Sequence, residues 1–229
     1  MMVCEVKRFA FPLLAVLAAC RAPVAPGVES YVPPGTVAVA AVDIAALRGS
    51  PLYPKIAPLL PASPDARSLW LAYRGSELLM IADGKPSGPA DLIQAAEAQH
   101  LTGKPGEPEL LSHAPPGGQI WMVVRGGVSL PLTGNYANVN RLLRDMEYAT
   151  VSLRAGSPVE LALTARGRTT EAARHFEQTF RATLTLIAAG ESKNAELASL
   201  LRSIQVRRTD RDVTSNFTLS PDDVGKLIR

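Results

Sequence analysis

The stretch Ala149-Thr150-Val151-Ser152-Leu153-Arg154-Ala155-Gly156-Ser157-Pro158-Val159-Glu160-Leu161-Ala162-Leu163 decides the fold class. Before and after Ala155-Gly156-Ser157-Pro158 the apolar residues Ala149, Val151, Leu153 and Val159, Leu161, Leu163 fall at every second position. That is the period of a strand, whose successive side chains point to opposite faces. Gly, Ser and Pro between such runs turn the chain. The pattern predicts two strands, each with one buried face.

Working outward, Ala173, Phe176, Phe180, Leu184 and Ile187 recur at helical spacing from Thr170, and Leu197, Leu200, Leu201 and Ile204 mark another helix after Gly190. Val206 and Val213-Ser215-Phe217-Leu219 flank a turn at Thr209-Asp210-Arg211, and Ser220-Pro221-Asp222-Asp223 opens a last short helix in the manner of a capping box. Upstream lie an apolar strand at Gln119 to Val124 and a helix capped by Asn138, with Val139, Leu142, Leu143 and Met146 on one face.

The first half shows a similar order. Thr36 to Asp43 is rich in Val and Ala and suits a strand buried on both faces. Leu47, Leu52, Ile56, Leu59 and Leu60 suggest helix interrupted at Pro51 and Pro54. Ser68 to Tyr73 and Glu77 to Ala82 form a hairpin about Arg74-Gly75-Ser76, and a helix with Leu92, Ile93 and Ala96 on one face starts at Pro89. A stretch heavy in Pro and Gly, Leu101 to Gly118, carries a short strand near Leu110 to His113 and separates the halves. The expectation is an α+β fold of two ferredoxin-like (β-α-β-β-α) half-repeats with antiparallel sheets and helices on one face. The alternative is one continuous α+β sheet across both halves.

The amino terminus speaks of compartment. Lys7 and Arg8 precede an apolar run from Phe9 to Leu17, which at about nine residues is too short to span a bilayer and has a signal peptide's layout. Leu17-Ala18-Ala19-Cys20 resembles the lipobox of bacterial lipoproteins, in which the cysteine thiol takes a diacylglyceryl group before cleavage. Two or three acyl chains hold a protein stably on a membrane. The expected organisation is a lipoprotein signal peptide over 1–19, lipidated Cys20 and a Pro-rich tether over 20–34, a first half over 35–117 and a second over 118–229. Arg21 follows the cysteine where enterobacterial lipoproteins retained at the inner membrane carry Asp, which implies an outer-membrane address.

Cleavage discards Cys4, so the mature chain has one cysteine and no internal disulfide. It also removes Lys7, Arg8 and Glu5 from 24 basic and 21 acidic residues, leaving a net charge of +2. Near-neutrality and an extracytoplasmic address argue against nucleic acid as a partner.

The chain is further similar to a group of uncharacterised lipoproteins from Acidobacteria and related bacteria. The resemblance lies in Pro33-Pro34-Gly35-Thr36, Val42-Asp43, Leu47-Arg48, Ser50-Pro51-Leu52-Tyr53, Ala165 to Phe180 and Leu219-Ser220-Pro221-Asp222. It implies a shared architecture and no assigned activity.

Linear motifs for catalysis are wanting. His100, His113 and His175 are too far apart for a helical metal pair, and Gly75-Ser76 and Gly156-Ser157 lack the nucleophile elbow. Asp83-Gly84-Lys85-Pro86 and Gly103-Lys104-Pro105-Gly106 read as turns, not phosphate loops. Asp43, closing an apolar strand, reads as a helix cap. Arg202, Arg207, Arg208 and Arg211, with Arg166 and Arg168 elsewhere, form a candidate anion-binding patch for lipid head groups or an acidic protein, partly offset by Asp210, Asp212, Asp222 and Asp223. The expectation is a lipid-anchored, non-catalytic binding or structural protein of the cell envelope, without cofactor. The alternatives are an envelope hydrolase assembled from separate loops, with Asp43 in its site, or a carrier with an apolar cavity between the halves.

Overall fold

The structure, a computed structural model, describes residues 27–61, 63, 65–129, 138–190 and 195–227. Residues 1–19, expected to be a signal segment, including Leu17, Ala18 and Ala19, and the expected lipidation residue Cys20 lie outside the described residues.

Strand β1 (Ala38–Asp43) leads into two four-residue helices, α1 (Ile44–Leu47) and α2 (Tyr53–Ile56). A meander follows, β2 (Ser68–Arg74), β3 (Glu77–Ala82) and β4 (Lys85–Ser87), then helices α3 (Ala90–His100) and α4 (Pro108–Ser112). The second half runs β5 (Ile120–Arg125), α5 (Asn138–Leu143), β6 (Met146–Arg154), β7 (Val159–Gly167), α6 (Thr170–Gly190), α7 (Ala195–Ser203), β8 (Val206–Thr209), β9 (Asp212–Leu219) and α8 (Pro221–Leu227).

The strands form one nine-stranded sheet in the order β4-β3-β2-β1-β5-β6-β7-β9-β8, every pairing antiparallel. Of the two architectures that the sequence left open, the continuous sheet is the one observed. A split βαβ unit sets a third strand between two parallel ones. Here β1 and β2 are antiparallel neighbours. The helices between them are each about 6 Å long, too short to carry the chain back along a strand for a parallel crossover.

Alternation sorts the sheet into two faces. The front face carries Ala38, Val42, Leu69, Val124, Ala149, Ala165, Val213 and Leu219, and helices cover it near both ends of the strands, with Leu71, Met122 and Val151 half-buried between them. Near the end of the sheet marked by Tyr73, Val124 and Val213, here the upper end, α6 contributes Ala173 and Phe176, and α5 contributes Leu143. Near the lower end, Ile44 and Leu47 of α1, Leu52 at the N-cap of α2 and Ile56 of α2 meet Val224 of α8. Ile44, Leu47 and Leu52 are fully buried, a gain of about 2 kcal/mol for each side chain.

Among the described residues, helices cover the back face over its first half only. There α3 packs Leu92 and Ala96 on Ala72, Leu79 and Ile81, while Leu110 of α4 and Val32 sit on Val39 and Val123. Helices therefore occupy both faces, in contrast to the one-sided arrangement expected.

Three local readings are corrected. Residues Leu110 to Ser112, expected as strand, belong to α4: Pro108 suits a helix's first turn, and a short apolar run has no decisive period. Met146, grouped with the preceding helix, opens β6 instead. Finally, the packed chain starts before Gly35: Val28–Tyr31 form a 3-10 turn, and Ser30 and Val32 are buried. Of the prolines that suggested a tether, Pro33 and Pro34 lie in chain held against the back face, where Gly106 N–H donates to Val32 O at 2.8 Å and Gly35 N–H to a Glu107 carboxylate oxygen at 2.6 Å.

Both outer strands are short. β4 includes Pro86, which has no N–H to offer, and in β8 the Val206 carbonyl accepts from the Arg181 guanidinium while the neighbouring Gln205 carbonyl accepts from Ser215 Oγ at 2.9 Å.

Candidate functional site

Over β6, β7, β9 and β8 no helix among the described residues packs on the back face, and strand register lays its side chains in rows. From the lower end upward they are Arg154-Glu160-Thr218, Ser152-Ala162-Asn216, Thr150-Thr164-Thr214-Arg207 and Tyr148-Arg166-Asp212-Thr209. The polar half of the alternation read at Ala149 to Leu163 thus becomes a hydroxyl- and amide-lined surface, in which Thr150, beside β5, is itself buried. Its middle rows carry no carboxylate, and ion pairs close it at either end.

At the lower end Arg154 meets Glu160 at 2.9 Å beside Gly117, with a shallow depression of about 360 Å³ lined also by Ser152, Ala162 and Asn216. The upper end is denser. The Arg166 guanidinium reaches both Asp212 carboxylate oxygens at 3.0 Å and Glu147 at 3.2 Å. The Asp212 charge, with smaller help from Tyr148 and Glu147, holds the Arg166 pKa above its ordinary value. Glu147 is placed by a β-bulge between Met146 and Tyr148, which re-aims a side chain out of strand alternation. It also faces Arg211 at 3.7 Å. Beside this network His113 stacks on Tyr148, ring centres 3.8 Å apart, and Arg125 pairs with Glu107. A second depression of about 270 Å³ lies among His113, Arg125, Glu147, Tyr148 and Arg168.

The four arginines named from sequence do not converge. Arg208 points to the front face and pairs with Glu177 of α6 at 3.1 Å. Arg211 belongs to the upper network of the back face. Arg202 and Arg207 are exposed around a depression of about 510 Å³ that Arg181 also lines. Sequence reasoning missed Glu147, Tyr148 and Asp212 as parts of one cluster. Polar alternation signals their face, but the bulge and the cross-strand register bring them together.

The other candidates resolve into local structure. Asp43 Oδ1 accepts from Ala46 N–H at 2.9 Å and caps α1. Asp83 and Gly84, both with positive φ, make the two-residue turn between β3 and β4. His175 is exposed on α6. His100 stacks on Tyr31 and its Nδ1 lies 2.5 Å from Ser30 Oγ. That hydroxyl donates its single proton to Gly27 O at 2.6 Å, and a carbonyl can only accept, so the imidazole must be the donor to Ser30. The pair pins the amino-terminal segment to α3, and the Ser30 hydroxyl is not activated by this histidine. Among the described residues no group of three or more His, Cys, Asp or Glu is placed to hold a metal ion.

Fold and surface together define a mixed α+β protein with a half-open antiparallel sheet. No protein-family model matches the chain, and no curated protein and no solved structure matches it either.

Proposed function

We propose that this is a lipid-anchored protein of the bacterial cell envelope that binds an envelope protein, without catalysis, through the open back face of β6, β7, β9 and β8. The observation that carries the binding role is the four-row polar surface, which no described helix covers, beside a first half whose equivalent face is packed under α3 and α4. The anchor rests on Leu17-Ala18-Ala19-Cys20 and the short apolar leader, and the outer-membrane address on Arg21. The similarity to uncharacterised lipoproteins of Acidobacteria fits the same reading. So does an ancestral duplication: each side of the β1–β5 seam runs strand, helix, strand, strand.

Two measurements test the proposal. Intact mass and membrane fractionation of the native protein beside Cys20→Ser should show acylation and membrane residence for the first alone. A photo-crosslinking residue at Asn216, on the open face, should give a discrete envelope adduct in cells, whereas one at Arg174, exposed on α6, should not. Equal labelling at both sites, or turnover of an envelope substrate that a point substitution in the face abolishes, would sink the binding role.

A further inference from the structure

We propose that the corner of the domain formed by the end of α3 and the β3–β4 turn lies against the bilayer, with Leu101 at head-group depth and Lys85 and Lys104 facing anionic lipid. This rests on the reading that Cys20 is lipidated, and adds to it an orientation. Gly27, the first described residue, is tied down: Ser30 bonds both to its carbonyl and to His100 at the lower end of α3. From Cys20 to Gly27 the chain has seven residue steps, which span at most about 25 Å in any conformation. Val28 and Tyr31 pack over β2 and β3. From β2 the β8 edge is six strand spacings away, about 29 Å at roughly 4.8 Å each, so that edge is beyond the tether's reach. The anchor therefore holds the corner around Gly27 and the lower end of α3 within about 25 Å of the bilayer, closer than it holds the β8 edge.

That part has suitable chemistry. Leu101 follows His100 directly and is 88% exposed, more than Leu59, Leu186 or Ile187. Lys104 is exposed in the same loop, and Lys85 is exposed on the turn whose Gly84 faces the Tyr31 ring. Neither lysine has an ion pair among the described residues. The Asp83 carboxylate, two residues before Lys85, accepts from the backbone N–H groups of Arg67 and Ser68. Leu59, also exposed, lies in the connection from Asp43 to Ser68, which begins and ends at the same lower end. An exposed leucine beside free lysines fits an anionic membrane surface.

The mature chain's only cysteine is acylated on this reading, so Leu101→Cys provides a single reactive thiol at a site whose exposure tolerates substitution. Labelled with an environment-sensitive fluorophore, the full lipidated chain is reconstituted into phosphatidylethanolamine–phosphatidylglycerol vesicles, with Thr209→Cys as control on the distant β8–β9 turn. The expected result is a blue shift and severalfold brightening at position 101, quenched by lipid-borne quencher, with no change at 209. Lys85→Glu with Lys104→Glu should diminish that shift. If mass and flotation show an acylated, bound protein but the label at 101 stays as in buffer, the orientation is overturned and the anchor stands. A shift that appears without vesicles and grows with concentration of an unacylated Cys20→Ser form assigns Leu101 to a second copy and overturns it too. If no acylation and no flotation are found, the anchor reading fails and the orientation with it.

Discussion

Asp83 does two jobs with one residue. Its φ of 48° lies in the left-handed region that Asp and Asn tolerate better than most, and its carboxylate accepts from Arg67 N–H, Ser68 N–H and Ser68 Oγ. The Ser68 N–H bond is the chief cause of a carboxyl pKa below the ordinary 3.8. A depressed pKa means that the unfolded chain binds the proton more readily, so the stabilisation is complete above 3.8 and drains away as pH falls through the folded value. The melting temperature of wild type should therefore exceed that of Asp83→Asn by a constant amount between about pH 5 and 7, and the gap should close in acid below that range; a gap that widens on acidification would contradict the assignment. Gly126 is constrained from another direction: a Cβ there would sit 1.7 Å from the Met146 carbonyl oxygen at the bulge. Gly126→Ala should cost about 3 kcal/mol in urea unfolding, because neither backbone can yield without moving Glu147. Such demands are hard to read in advance. Asp-Gly announces a turn, but that its carboxylate braces the start of β2, or that Gly126 abuts a bulge, depends on partners distant in sequence.

Single elements were more legible, in proportion to how long their periodicity runs. The alternation from Ala149 to Leu163 foretold β6 and β7 and their single buried face, and the spacing from Ala173 to Leu184 foretold α6. Ser220 accepts from Asp223 N–H at 3.1 Å, as its capping pattern implied. Short apolar runs failed, since five residues around Leu110 satisfy strand and helix equally, and β4 has too few residues to show any period. The candidate site was half readable: a polar face follows from alternation, whereas the scattering of Arg202, Arg207, Arg208 and Arg211 over two faces follows only from where β8 pairs. The cap of α1 supplies an element-level test. Asp43→Ala should lower stability by about 1 kcal/mol by chemical denaturation and leave cross-linking at Asn216 intact. A loss of cross-linking with stability unchanged would point instead to a direct role for this carboxylate.

For the molecule as a whole, the seam between β1 and β5 matters most. Ala38 to Val42 pair with Val124 to Ile120, and Ala38 and Val124 share a core with Leu143, Phe176 and Val213. Cutting there would strip each half of a central neighbour and expose an apolar strand on both faces. Calorimetry of the intact chain should show one cooperative transition, and residues 35–117 or 118–229 expressed alone should lack the dispersed amide spectrum of a folded sheet. Two independent transitions would return the halves to the status of domains. The margins of the sheet have the opposite character to its centre. On the proposed anchor, molecules held on a bilayer would diffuse in two dimensions and collide far more often than the same number in solution, and a strand with unanswered backbone groups would recruit its neighbour's at each collision. With Pro86 on one rim and the Arg181 guanidinium occupying a carbonyl on the other, this sheet gives such encounters little to polymerise on, so crowding on a surface need not end in fibres.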